Sequence, residues 1–126
     1  MEFADGIDDR GYLAALANAL PHAIECSRPQ LAIYLAGADP FAGDSLGKLS
    51  LSKAGLAARD GFVLDTLRHA RIPVAIAMAG GYADRIDDIV DIHFATVSCA
   101  LERFGHDAEV GLRAVQPLPE ARAAAC

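Results

Sequence analysis

The sequence predicts an α/β domain with a parallel sheet flanked by helices. Two short apolar runs without charge, 31–36 and 73–79, alternate with three longer segments whose apolar residues recur at the helical period. Such runs are typical of strands buried on both faces, and their alternation with helices favours parallel pairing. Periodicity alone leaves a buried helical turn open for runs this short, and the flanking Pro29 and Gly37 favour a strand.

The first helix is predicted to begin after Asp8 or Asp9, because a short carboxylate caps the first turn. Its apolar stripe comprises Leu13, Leu16, Leu20 and Ile24. Pro21 interrupts the stripe and lacks an amide proton, so we expect the helix to end near Leu20 or to kink there.

The second helix is predicted to start at Ser50 or Ser52 and to stop before Pro73, which cannot continue it. The third is predicted to be capped by Asp84 and to end at Gly105, a suitable residue after a helix. Residues 110–115 are expected to form a short extended piece. We therefore divide the single domain of residues 1–126 into a lead-in (1–9), a core (10–104) and a loose tail (about 110–126).

Composition limits the classes of function. The 126 residues are 53% hydrophobic, enough to bury the core of one domain. The uncharged apolar stretch 72–83 is shorter than the roughly 18 residues expected of a membrane span, and no signal peptide is recognised. The net charge of −6 comes without a basic patch, which argues against nucleic acid. Three scattered cysteines suit a reduced setting, so we expect a cytoplasmic protein without a membrane partner.

The ends of the two predicted strands carry the candidate site. Asp39 follows the first strand and its Gly37, and Tyr82 follows the second strand and a Gly-Gly pair. Ligands bind outside the carboxyl ends of parallel strands, so an acid and a phenol are expected over one crevice. The simpler interpretation is that Asp39-Pro40 and Gly-Gly only make turns.

The triplet 91–93, Asp-Ile-His, contains two potential zinc ligands by residue type. On a helix, however, residues two apart point about 200° apart and cannot converge on one ion. His93 also lies on the apolar stripe, so we interpret it as a packed, hydrogen-bonded histidine.

Two motifs resemble one family. The segment 36–52, AGADPFAGDSLGKLSLS, and the segment 55–60, GLAARD, resemble the C-terminal motif of histone deacetylase-like zinc amidohydrolases, and AGGY at 79–82 resembles their Gly-Gly-Tyr motif. The Arg59-Asp60 pair and the Ile-Pro before the second strand are most similar to the class IV branch. The resemblance runs from about residue 6 to about residue 101.

The resemblance implies the arginase/deacetylase three-layer fold and hydrolysis of an acetyl-lysine or acetylated amine. It makes Asp39 one of three zinc ligands and Tyr82 the catalytic hydroxyl that donates to the substrate carbonyl. Leu46 would line the acyl-lysine tunnel, and the motif glycines Gly80 and Gly81 would contact substrate. Ser45 departs from the arginine common in the family, which puts in doubt an anionic contact at the rim.

The family's paired histidines and its Asp-X-His zinc segment do not occur before these motifs. A catalytic zinc usually has three protein ligands, and two strands do not make a stable α/β sheet. We therefore expect the C-terminal portion of a deacetylase, completed by an N-terminal part or by a second copy. The alternatives are a non-catalytic interaction module that retains the half-fold and, ranked last, a small flavodoxin-like binding domain.

Overall fold

The predicted order of elements is confirmed. The computed structural model describes residues 3–112, with side chains described for residues 3–105. Helices and strands alternate in the order α1 (Asp9–Ser27), β1 (Ala32–Gly37), α2 (Lys53–His69), β2 (Val74–Ala79) and α3 (Ile86–Leu112). The domain division at residues 1–126 stays a prediction, and the part of the proposed tail from 113 onward lies outside the described residues.

The two strands pair in parallel, as predicted, with Ala32 opposite Val74 and Gly37 opposite Ala79. This register brings the carboxyl ends of both strands to the same edge of the sheet. The pairing continues one step beyond the strands, because the Ala38 amide donates to the Gly80 carbonyl over 2.9 Å. The loops that follow the strands therefore begin side by side.

All three helices pack on one face of this sheet. Tyr34 faces α1 and α2 in a core that also contains Val63 and Leu67. On the opposite face, Ile33 is 70% exposed and Leu35 is 66% exposed. We expected helices on both faces; within the described residues only one face is covered, and the other is an apolar surface open to solvent.

The helix ends follow the sequence in part. Asp8 caps α1 by accepting from the Gly11 amide over 2.9 Å, and Ser52 caps α2 by accepting from the Gly55 amide over 2.9 Å. The expected end of α1 near Leu20 is wrong, because the helix continues through Pro21 to Ser27.

The continuation of α1 has a packing reason, since Leu20 and Ile24 lie on both sides of the proline and both contact the core between α2 and the sheet. The third helix also runs past its expected end at Gly105 and reaches Leu112, so residues 110–112 are helical rather than extended. It begins at Ile86, two residues after the predicted cap.

A buried carboxylate joins β1, α2 and α3. Asp60, at 0% exposure, accepts from the Tyr34 hydroxyl (2.5 Å), from Arg59 Nε (2.9 Å) and from the Thr96 hydroxyl (2.5 Å). Arg59 Nη2 also lies 2.8 Å from Asp60 as an ion pair, without the alignment of a hydrogen bond. A buried charge is tolerated only when it is paired and hydrogen-bonded, and this one is.

The same network holds the end of β1. Arg59 Nη1 donates to the Gly37 carbonyl over 2.7 Å, two residues before Asp39. Burial raises the pKa of the Tyr34 hydroxyl far above its ordinary value; Arg59 opposes this shift and the hydrogen bond to Asp60 adds to it. Tyr34 therefore stays protonated and donates to Asp60. The end of β1 is held by Arg59 of α2.

No helix in residues 3–112 is both long enough and apolar enough to cross a membrane.

Replacing Thr96 with valine tests the network. Thr96→Val removes one donor to Asp60 in a buried place, so we expect the free energy of unfolding to fall by about 1–3 kcal/mol. Urea unfolding followed by circular dichroism measures the loss. Thr66→Val is the matched control, because the Thr66 hydroxyl only donates to the Phe62 carbonyl within α2, and we expect about 0.5 kcal/mol or less. Equal losses in both variants would contradict a special role for the network.

Candidate functional site

The predicted site residues lie on two neighbouring loops at the carboxyl ends of the strands. Asp39 directly follows Ala38, which is fully buried, and its own side chain is exposed. Tyr82 follows the glycine pair after β2, and its side chain is 61% exposed. The structure thus brings both residues to the same edge of the sheet, while their chemical roles stay predictions.

The Asp39 carboxylate lies in a gap between two glycines. A Cβ atom on Gly37 would lie 2.5 Å from Oδ2 of Asp39, and one on Gly80 would lie 2.7 Å from Oδ1. A side chain at either position would force the exposed Asp39 carboxylate to move from its place between the two strand ends. Glycine at each strand end therefore lets the carboxylate stand directly over the sheet edge.

The loop from 39 to 51 is folded back on itself. The Phe41 amide donates to the Ala38 carbonyl and the Asp44 amide donates to the Phe41 carbonyl, each over 2.9 Å. At its far end, Leu51 is fully buried and donates its amide to the Pro40 carbonyl over 3.0 Å. These contacts make the loop a compact unit rather than a free connection.

Asp44 connects this loop to the loop of Tyr82, a role that sequence analysis did not assign to it. One carboxylate oxygen accepts from the amides of Leu46 (2.9 Å) and Gly47 (2.6 Å), and the other accepts from the Tyr82 amide (2.5 Å). Partial burial tends to raise the pKa of Asp44, but the amides of Tyr82, Gly47 and Leu46 together lower it below its ordinary value. An aspartate two residues before a turn amide is a recognisable signal for the local bonds, but not for the distant one.

The residues expected to contact substrate surround this edge. Leu46 is 70% exposed on the folded loop. Gly80 is exposed, and Gly81 adopts a φ of +153°, a value that side chains rarely allow. Their predicted contacts with substrate are not tested by the structure.

Within the described residues, the Asp-Ile-His triplet on α3 belongs to no cluster of three metal-ligating side chains. Asp91 instead forms an ion pair with Lys53 over 2.6 Å, and Ile92 between the two is buried in the core. The predicted hydrogen bond of His93 is wrong at one atom, since its buried Nδ1 has no partner within the described residues.

No three metal-ligating side chains come together within the described part of the chain. Asp39 has the donor type and the open position of a zinc ligand, but one carboxylate does not make a zinc site. The described residues therefore supply one potential ligand of such a site, Asp39, and not a complete set.

Comparison with known proteins agrees with the fold and the motifs. A family model described as the histone deacetylase domain matches residues 1–97. An uncharacterized protein of Picosynechococcus sp. is 44% identical over 89 residues, which cover 71% of this chain and 30% of that protein. Histone deacetylase 2 of Arabidopsis thaliana is 38% identical over 82 residues, covering 65% of this chain and 21% of that protein.

Solved structures show the same fold. The histone deacetylase Clr3 superposes with a TM-score of 0.65 and 24% identity, covering 98% of this chain and 18% of that one. The acetylpolyamine aminohydrolase of Burkholderia pseudomallei superposes with a TM-score of 0.64 and 16% identity, covering 80% of this chain and 28% of that one.

The parallel α/β sheet of this chain and its flanking helices thus have the fold of the deacetylase and aminohydrolase structures. Because the family model matches most of its length, the chain belongs to the histone deacetylase domain family. It spans less than a third of the length of the curated relatives described above.

Replacing Gly80 with alanine tests the gap around Asp39. Gly80→Ala places a Cβ against the carboxylate, so we expect the exposed Asp39 side chain to move away and the free energy of unfolding to change by about 0.5 kcal/mol or less. Backbone amide chemical shifts at residues 37–39 and urea unfolding measure both effects. Gly105→Ala is the control, because a Cβ there meets no atom within 4 Å, and alanine in a helix should raise stability by about 0.5–1 kcal/mol. Unchanged shifts at 37–39 in Gly80→Ala would contradict the close approach.

The lowered pKa of Asp44 predicts a pH dependence of stability. Because the folded-state pKa is below the unfolded value of about 3.9, the stabilisation is complete above that value and is lost as the pH falls through the folded pKa. We expect the wild-type advantage over Asp44→Asn at pH 7 to shrink below about pH 4, measured by urea unfolding. Asp84→Asn removes the same charge from an exposed side chain two residues after Tyr82 and is the matched control. A wild-type advantage that persists unchanged at pH 2.5 would count against the amide contacts.

Proposed function

We propose that this chain is the C-terminal part of a zinc-dependent deacetylase that hydrolyses acyl-amide bonds of the acetyl-lysine or acetylated-amine type. The observation that carries the proposal is the position of Asp39 and Tyr82 on adjoining loops, joined by the Ala38–Gly80 hydrogen bond. Membership of the histone deacetylase domain family supports the reaction class.

Tyr82 is the proposed catalytic residue of this chain. Its exposed side chain leaves the phenol available to an incoming substrate. A hydroxyl aimed at the carbonyl oxygen stabilises the negative charge that develops there in the transition state. For this role the Tyr82 hydroxyl has to be positioned, and the hydrogen bonds to the Tyr82 backbone contribute to that position although its ring is exposed.

Asp39 is proposed as one ligand of the zinc ion. When bound, zinc supplies a Lewis acid that polarises the acyl carbonyl. The carboxylate is held open by two flanking glycines, and further ligands have to come from residues outside the described part of the chain or from another chain. We therefore propose that the chain alone is an incomplete catalyst.

The proposed substrate contacts are Leu46, as an apolar wall, and the backbone of Gly80 and Gly81. Small acetylated amines stand beside acetyl-lysine as candidate substrates. The Arg59–Asp60 pair favours the class IV branch, and a cytoplasmic location fits the composition.

The uncovered face of the sheet supports completion by an N-terminal part of the same kind of domain. Strands that are apolar on both faces are stable when both faces are buried, and Ile33 and Leu35 are exposed here. Along α3, a second apolar row is exposed and includes Val90, Phe94 and Leu101. These two surfaces are where we propose that the missing layer and strands pack.

A non-catalytic interaction module is the second candidate. The observation that favours it is the same exposed apolar surface, together with strand edges that have no partner within the described residues. Such edges pair readily with another chain. In this case the chain would form a discrete homodimer that stays inactive with zinc.

Complementation separates the two candidates. The chain is mixed with the part of the Picosynechococcus relative that lies outside the matched region, and zinc content and turnover of a fluorogenic acetyl-lysine amide are measured. We expect neither zinc nor turnover for the chain alone, and both for the complex. Turnover by the chain alone would contradict incompleteness, and no turnover by the complex, with a stable homodimer, would favour the interaction module.

Variants of the two proposed site residues sharpen this test. In the complex, we expect Asp39→Asn to lose zinc and activity together. Tyr82→Phe should keep zinc and lower kcat by about 10²–10³-fold, because one donor to the developing charge is removed. Asp84→Asn and Tyr12→Phe are the matched controls. Loss of zinc in Tyr82→Phe, or normal kcat in it, would contradict the assigned roles.

A further inference from the structure

The backbone of Tyr82 is held on both sides by two consecutive residues of the other loop. The Tyr82 amide donates to Asp44 Oδ2 over 2.5 Å. The Tyr82 carbonyl accepts from the Ser45 amide over 3.0 Å and from the Ser45 hydroxyl over 2.6 Å. Two residues that lie 37 and 38 positions away in sequence thus hold both peptide groups that flank one Cα atom.

Beyond these bonds, the same two loops pair at an isolated antiparallel bridge between Asp44 and Ala83. Two glycines precede Tyr82, and one of them, Gly81, has a φ of +153°. Its ring is more than half exposed, so packing does not define its direction. The hydrogen bonds to its two peptide groups therefore fix the position of the Tyr82 Cα atom, from which the side chain projects.

Asp44 is itself anchored in the loop that carries Asp39. Its second oxygen accepts from the Leu46 and Gly47 amides. A Cβ atom on Gly47 would collide with the backbone carbonyl of Asp39, so this turn lies directly against the Asp39 peptide. A displacement of Tyr82 relative to Asp39 has to break bonds at Asp44.

We propose that Asp44 and Ser45 are positioning residues that hold Tyr82 in register with Asp39. This inference rests on the proposed function, since it assigns the register to the reacting groups of that site. The inference also gives a role to Ser45, which stands where the resemblance leads us to expect an arginine. The short Ser45 hydroxyl donates to the Tyr82 carbonyl, and so does the Ser45 amide.

Asp44→Asn tests the proposal in the isolated chain. An asparagine has one carbonyl oxygen, which can accept either from Leu46 and Gly47 or from Tyr82, and its NH₂ group repels the remaining amide donors. We expect the carbonyl oxygen to face the two amides of Leu46 and Gly47, so the Tyr82 amide loses its hydrogen bond to residue 44. We expect hydrogen exchange of the Tyr82 amide, followed by NMR, to accelerate at least about tenfold, while exchange of the Gly47 amide and of core amides in α2 changes little.

Asp84→Asn is the matched control and should leave the Tyr82 amide unchanged. Unchanged exchange at Tyr82 in a folded Asp44→Asn variant would overturn the proposal. If that variant does not fold, Ser45→Ala keeps the test open, because it removes one of two donors to the Tyr82 carbonyl; faster exchange confined to residues 80–83 supports the proposal, and unchanged exchange there overturns it.

The complementation complex separates this inference from the proposed function. With an active wild-type complex, we expect Asp44→Asn to lower kcat about tenfold or more with nearly unchanged KM, because Tyr82 acts in the transition state. Normal kcat with accelerated exchange would overturn the positioning role. If the wild-type complex is itself inactive, the proposed function fails and the role in catalysis fails with it, while the exchange data still decide whether Asp44 holds Tyr82.

Discussion

The buried carboxylate of Asp60 is the contact on which the rest of the described structure depends. It gathers donors from β1, α2 and α3 around one charge in the interior. Removing one partner of such a group leaves a polar atom buried and unsatisfied, which costs more than the bond contributes when made. Through Arg59 the same group reaches the Gly37 carbonyl, so the core and the end of the first strand are fixed together.

From that fixed strand end, the site is built by backbone contacts rather than by packing. The strand register aligns the two loops, the Ala38–Gly80 bond extends the alignment, and Asp44 ties the loops at a second point. Exposed side chains on hydrogen-bonded loops suit the proposed site, in which another layer of protein supplies the remaining groups. The histone deacetylase domain family, to which the chain belongs, gives this edge of the sheet its chemical interpretation.

Two apolar surfaces of the described structure are exposed to solvent. One face of the sheet and one row along α3 carry the residues that a covered α/β domain buries. The chain spans less than a third of the length of the curated relatives described above. Hydrophobic burial is the main favourable term in folding, so the surfaces left open here also measure how much stabilisation a further layer could add.

The sequence by itself determined the order of elements and the two loops that carry Asp39 and Tyr82, and it narrowed each of the first two helix caps to two residues, because these follow from local periodicity, glycine positions and short-range hydrogen bonds. The structure chose Asp8 and Ser52. Tertiary structure alone decided that α1 continues past Pro21, since the packing of Leu20 and Ile24 outweighs one lost backbone bond. It alone also decided that Asp60 is the buried centre of a network and that Asp44 holds Tyr82. Both depend on partners 26 to 38 residues away, and no local pattern in a single chain records which distant group will complete a hydrogen bond.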